Sequence, residues 1–135
     1  MTTELFYLLL TALLAGSLWI PFIIGVTTET ADFTDFSRPP DHFRMRPWVH
    51  RAFRAHQNLL ETTIPFAIVV LVAHVAGIST AITITAAIAF FWIRVLHAVG
   101  MISGLAIFPI RPVIFTASYA CTLAIALVLL LSPGG

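Results

Sequence analysis

Lysine is absent from this 135-residue chain, and charge of either sign is scarce. Seven arginines and six acidic residues make up 10% of the sequence, against roughly a quarter in soluble domains. That scarcity excludes a soluble globular fold. Residues 5–28, 62–93 and 112–135 carry no charged side chain, and each stretch exceeds the ~20 residues that cross a bilayer. With no run of like charges, the net charge of +1 offers nucleic acid no electrostatic footing. The alternation of period two that a lipid-facing barrel strand requires is missing too. The single cysteine, Cys121, cannot form an intrachain disulfide, and its apolar surroundings predict a small packed hydrophobe. No set of His, Cys and carboxylates has the spacing of a metal site; His50 and His56, six residues apart, face different ways. The opening MTTELFYLLL has Glu4 where a secretory signal would have positive charge, so its apolar run is expected to be retained as a span.

What remains reads as an all-α integral membrane domain over residues 1–135, a bundle of four transmembrane helices without internal repeats. The spans are predicted at about 5–26, 49–76, 80–104 and 112–132. The only long polar connection runs from Thr27 to Trp48. Pro39-Pro40 with Asp32, Asp35 and Asp41 break helix there, while Phe33, Phe36, Phe43 and Trp48 point to the interface. The second connection, Gly77-Ile78-Ser79-Thr80, is short enough to make its flanking helices an antiparallel hairpin, with Ser79 or Thr80 capping the third span. Arg38, Arg44, Arg46, Arg51 and Arg54 cluster in or beside the first connection. By the positive-inside tendency they place the first and third connections in the cytoplasm and the termini opposite. Pro21 and Pro65 read as kinks.

Few polar residues lie within the spans, and they are where chemistry can reside. Counted from the tight turn, Glu61 and Arg94 both fall ~21–24 Å deep, level with each other, so an ion pair is the simplest expectation. Arg54, Asn58 and Glu61 share one face at i, i+4, i+7 spacing. Arg94 and His97 share another, with Met101 next along it. Two such stripes lining one cleft would offer planar donors for carboxylates, an acceptor for an ammonium group and an amide for peptide bonds, a set that suits a small zwitterionic peptide. Arg111, just before the fourth span, adds positive charge to a helix N-terminus. A thiol held beside it would ionise and become nucleophilic.

These residues carry a resemblance. Arg54-Ala55-His56-Gln57-Asn58-Leu59-Leu60-Glu61, followed by Thr62-Thr63-Ile64-Pro65-Phe66, resembles the second-helix signature of the membrane-associated proteins in eicosanoid and glutathione metabolism, the MAPEG family. Arg94-Val95-Leu96-His97 is similar to the family's third-helix motif, and Arg111 stands where its thiolate-stabilising arginine does. The resemblance implies a homotrimer, glutathione as co-substrate in clefts between subunits, and lipophilic substrates arriving from the membrane lipid. Arg54, Asn58, Glu61, Arg94 and His97 would hold glutathione, and Arg111 would stabilise its sulfur. The implied activity is glutathione transfer to lipophilic electrophiles, or peroxide reduction.

Met101 stands where catalytic members commonly have tyrosine, and Pro112 and Phe115 where many have serine or tyrosine, so a non-catalytic member that binds lipid or another ligand is the alternative expectation. The arginine often found at the end of the first helix is also missing, with Arg51 as its candidate replacement. A small proton-coupled exporter shares the plan of four spans with one membrane acid, but the arginines near Glu61 oppose cationic drugs.

Overall fold

A computed structural model describes residues 1–29, 41, 43–105 and 107–132. Among them the chain forms five α-helices and no strand: α1 (Thr3–Ser17), α2 (Trp19–Glu29), α3 (Pro47–Val75), α4 (Ala81–Ser103) and α5 (Ile110–Leu131). Four segments are long and apolar enough to span a membrane: Thr3–Thr28, which joins α1 and α2, then α3, α4 and α5. Phe33, Phe36, Arg38 and the Pro39-Pro40 pair, expected in the interfacial connection, lie outside the described residues. Phe43 is fully exposed, whereas Trp48 packs against a small cluster of Val26, Met45 and Val49.

The kink expected at Pro21 is a full interruption three residues earlier, which divides the first span into two helices. Pro21 has no N–H for the carbonyl four residues earlier, and the Ser17 hydroxyl turns back to the Leu14 carbonyl at 2.9 Å. The helix ends at Ser17 and resumes at Trp19, with Leu18 as the intervening residue. Pro65, by contrast, lies within an uninterrupted α3. That helix has 29 residues and a length of ~43 Å, longer than the ~30 Å hydrocarbon core, so its Arg51 and Arg54 end reaches the headgroups.

Small residues let the rods approach. Ala73, Ala86 and Ala87 sit in the main core with Val70 and Ile125, and there Phe66 of α3 and Phe90 of α4 stack face to face at 3.8 Å. Ala15, Leu18, Leu59 and Ala98 make a second cluster that ties the first span to α3 and α4. Cys121 packs beside the main core as a small apolar side chain. Of the two candidate caps for α4, Thr80 does the work. Its hydroxyl accepts from the Thr83 N–H at 3.2 Å, and Thr83 Oγ1 accepts from the Thr80 N–H at 2.9 Å. Ser79 instead donates to Glu4, at 2.8 Å, and Thr83 Oγ1 donates to the same carboxylate oxygen at 2.7 Å. Glu4 thereby clamps the start of α1 to the turn between α3 and α4.

Arg51 closes the other end of α4. Its Nε and Nη2 donate to the Ile102 carbonyl at 3.4 and 3.3 Å, near the negative pole of the helix. This corrects its expected part as a substitute ligand arginine: its donors are directed at a helix end. Gly104, in the left-handed conformation at φ +84°, ends the helix where a side chain would meet the Arg51 guanidinium.

Candidate functional site

The start of α5, like that of α3, has no side-chain cap hydrogen bond and carries proline in its first turn. Its cap position is Pro109, without a side-chain bond, and its third residue is Pro112, which brings no N–H. The Arg111 N–H already donates to the Ile107 carbonyl at 3.1 Å, and the Val113 N–H to the Pro109 carbonyl at 3.3 Å. The feature at this helix start that can attract an anion is therefore the exposed Arg111 guanidinium, rather than a row of free amides.

Arg111 faces a cleft of about 640 Å³. Asn58 of α3 and His97 of α4 bring polar groups to it, Thr116 of α5 adds a hydroxyl, and Ile107, Phe108 and Phe115 supply apolar surface. His97 is 1% exposed, and its Nδ1 is buried without a hydrogen-bond partner among the described residues. Three of the six expected site residues, Asn58, His97 and Arg111, thus meet in one cavity.

Arg94 lies beneath them, fully buried. Its Nη2 donates to Asn58 Oδ1 at 2.6 Å, and Nη1 reaches the Ser118 hydroxyl at 3.5 Å, itself bonded to the Phe115 carbonyl at 2.8 Å. With Oδ1 committed to Arg94, the Nδ2 hydrogens are what Asn58 offers the cleft, so Arg94 fixes the sense of that amide.

The expected ion pair between Glu61 and Arg94 does not form. Asn58 and Glu61 are three residues apart, about 60° round the helix and ~4.5 Å along it. Arg94 meets Asn58, while Glu61 turns outward, exposed at the midpoint of α3. Counting depth along the helix carries no direction around its axis. Nor do the two stripes line one cleft. Arg54 is exposed outside it, Met101 is buried, and Glu61 lines a smaller cavity of about 140 Å³ with Thr62, Pro65, Phe90, Tyr119 and Thr122. Phe115 borders both cavities.

Sequence reasoning overlooked Ser118 and Thr116. Ser118 follows Arg111 by seven residues, two helical turns, and Thr122 and Ile125 continue that buried face, so the spacing held the signal for Ser118. Nothing comparable distinguishes Thr116.

The MAPEG family profile matches residues 5–131, nearly the entire chain. The chain belongs to the MAPEG family. No curated protein gives a significant match. Membership and the four apolar segments together describe a multi-pass membrane protein of a family that includes glutathione transferases and related proteins. In this MAPEG chain the stretch from Arg54 to Phe66 runs along α3, and Arg111 lies in the first turn of α5.

Proposed function

We propose that this MAPEG protein is a glutathione-dependent transferase or peroxidase that acts on lipophilic electrophiles drawn from the bilayer. The observation that carries the reading is the meeting of Arg111 with Asn58 and His97 in one cleft whose remaining wall is apolar apart from Thr116. A guanidinium beside a thiol stabilises the thiolate, so Arg111 would raise the fraction of glutathione ready to attack an electrophilic carbon or a peroxide oxygen. Asn58 would donate to a peptide carbonyl, with Arg94 holding its amide in that sense. The aromatic and aliphatic side of the cleft would receive the second substrate.

Glu61 and Arg54 complete the site from neighbouring copies in a homotrimer. Glu61 is exposed at mid-helix in the single chain, where a bare carboxylate against lipid costs about 2.5–3.5 kcal/mol on insertion scales. A second subunit over that face, bringing the glutathione ammonium with it, removes the cost. In this arrangement the arginine-rich end faces the cytoplasm.

Thermal unfolding of detergent-solubilised protein across a glutathione titration tests the reading, because a ligand that binds only the folded state must stabilise it. Saturable stabilisation, lost in Glu61→Gln and Arg54→Ala, is the expected result. A flat titration at millimolar glutathione in protein that remains oligomeric would overturn it. The same outcome would favour the second reading, a non-catalytic binder, which the cleft itself motivates: among the described residues its only hydroxyl side chain is Thr116, and Phe115 and Pro112 occupy positions where many family enzymes have hydroxyl groups.

A further inference from the structure

Glu4 is 5% exposed, and only half of its carboxylate is accounted for. Oε1 takes two hydroxyl hydrogen bonds, from Ser79 and Thr83; the Thr2 hydroxyl and the Glu4 N–H also lie near the carboxylate, but Oε2 is buried with no partner at hydrogen-bond geometry among the described residues. A buried oxygen of a charged group left unmatched carries a desolvation cost that native structures seldom retain without a use. Glu4 also borders a cavity of about 220 Å³, together with Thr2, His74, Gly77, Ile78 and Ser79. Four features specify what this cavity would accept.

Its position comes first. The cavity lies where α1 begins, α3 ends and α4 begins, at headgroup level on the membrane face opposite Arg51 and Arg54. The second feature is charge. Neither the connection between α3 and α4 nor either chain end carries an arginine, lysine is absent altogether, and neither His74 nor the Met1 amino group bonds Oε2. No cation among the described residues bonds Oε2, which leaves it open to one from outside the chain. The third is the helix pole: the C-terminal end of α3, with its partial negative charge, forms part of the wall and favours a positive group. The last is size and donor number. Calcium and magnesium take six or more oxygen ligands, whereas this cavity has a single unmatched carboxylate oxygen and no cluster of three or more metal-ligating side chains among the described residues, and its volume is several times the ~30 Å³ share of one water.

We propose that this cavity binds the primary ammonium group of a phosphatidylethanolamine-type headgroup, with Glu4 Oε2 as its principal acceptor. The ammonium has three donors, to divide between Oε2 and neighbouring oxygens, and the lipid phosphate would lie towards His74 and the N-terminal end of α4, the positive pole of that helix. A quaternary choline headgroup has no N–H to give Oε2, so the site discriminates by hydrogen bonding as well as by charge.

The test places the full-length protein in nanodiscs of fixed anionic content whose zwitterionic lipid is phosphatidylethanolamine or phosphatidylcholine, and reads lipid retention by native mass spectrometry. A preference of about tenfold or more for phosphatidylethanolamine is expected, the worth of one charge-assisted hydrogen bond. Glu4→Gln preserves an oxygen for Ser79 and Thr83 and should abolish the preference. Ile78→Trp, which fills the cavity without touching the Glu4 clamp, should abolish it as well. Competition by millimolar free ethanolamine would show that the ammonium alone suffices; its failure beside retained lipid preference would show that the acyl-linked headgroup is the ligand. Equal retention of the two lipids, a preference that survives both substitutions, or displacement of the lipid by sodium or potassium would each overturn the proposal.

Discussion

The Arg94 guanidinium and the Asn58 side-chain oxygen lie 2.6 Å apart, joining the middle of α4 to the middle of α3. Because Arg94 is fully buried, this hydrogen bond both neutralises part of a desolvation cost and decides which end of the Asn58 amide is free. Asn58→Ala and Asn58→Asp separate the two effects. The alanine variant leaves the buried cation short of an acceptor and should lose about 2–3 kcal/mol of stability. The aspartate variant maintains an acceptor and should unfold near the wild-type temperature, yet lose glutathione-dependent stabilisation because its cleft-facing donor is gone. Thermal unfolding with and without glutathione reads both; an alanine variant as stable as wild type would contradict the structural half of this account.

Arg111 provides a second separation. Substitution by alanine should lower turnover with a lipophilic electrophile about a hundredfold, the scale of losing one preorganised charge-stabilising donor, while the glutathione concentration for half-maximal stabilisation changes little. Equal loss of binding and turnover would move Arg111 from the sulfur to the peptide.

Gly104 is expected to resist substitution for two reasons at once. An alanine there adopts φ +84° at a cost of about 1–2 kcal/mol and places its Cβ 3.2 Å from Arg51. Combining Gly104→Ala with Arg51→Ala should therefore cost less than the sum of the two single changes, since the second removes the obstruction. Strict additivity in the double-mutant cycle would show that only backbone strain is at stake.

Gly25 marks the closest approach of α2 to α3. A Cβ would lie 2.5 Å from Val49 Cγ2 and 2.9 Å from Trp48 Cη2, so Gly25→Ala should destabilise by about 1–3 kcal/mol through overpacking. Val49→Ala in the same chain should recover at least half of that loss in the unfolding temperature.

Span number and placement were legible because the uncharged stretches are long, and the boundaries differ from expectation by only a few residues. α3 begins at Pro47 rather than near residue 49, and α5 at Ile110 rather than 112. That Asn58, His97 and Arg111 would border a common cleft was legible because polar residues within spans have few places to go. What a linear reading missed was direction around the axis: Arg94 meets Asn58 while Glu61 is exposed on another face, and Arg51 donates to the end of α4. Glu4 was read only as evidence against a signal peptide. Its link to Thr83 spans 79 positions, a separation no local pattern encodes.

The interruption at Leu18 gives the first span two mechanical allegiances. α1 is fastened to α4 by Glu4 and packs on α3, whereas α2, beyond its junction with α1, rests on α3 alone among the described helices. The 11-residue α2 therefore owes its placement to α3 through Gly25, Val26 and Val49, so a change at that seam would act on α2 without passing through the Glu4 clamp or the Asn58–Arg94 bond.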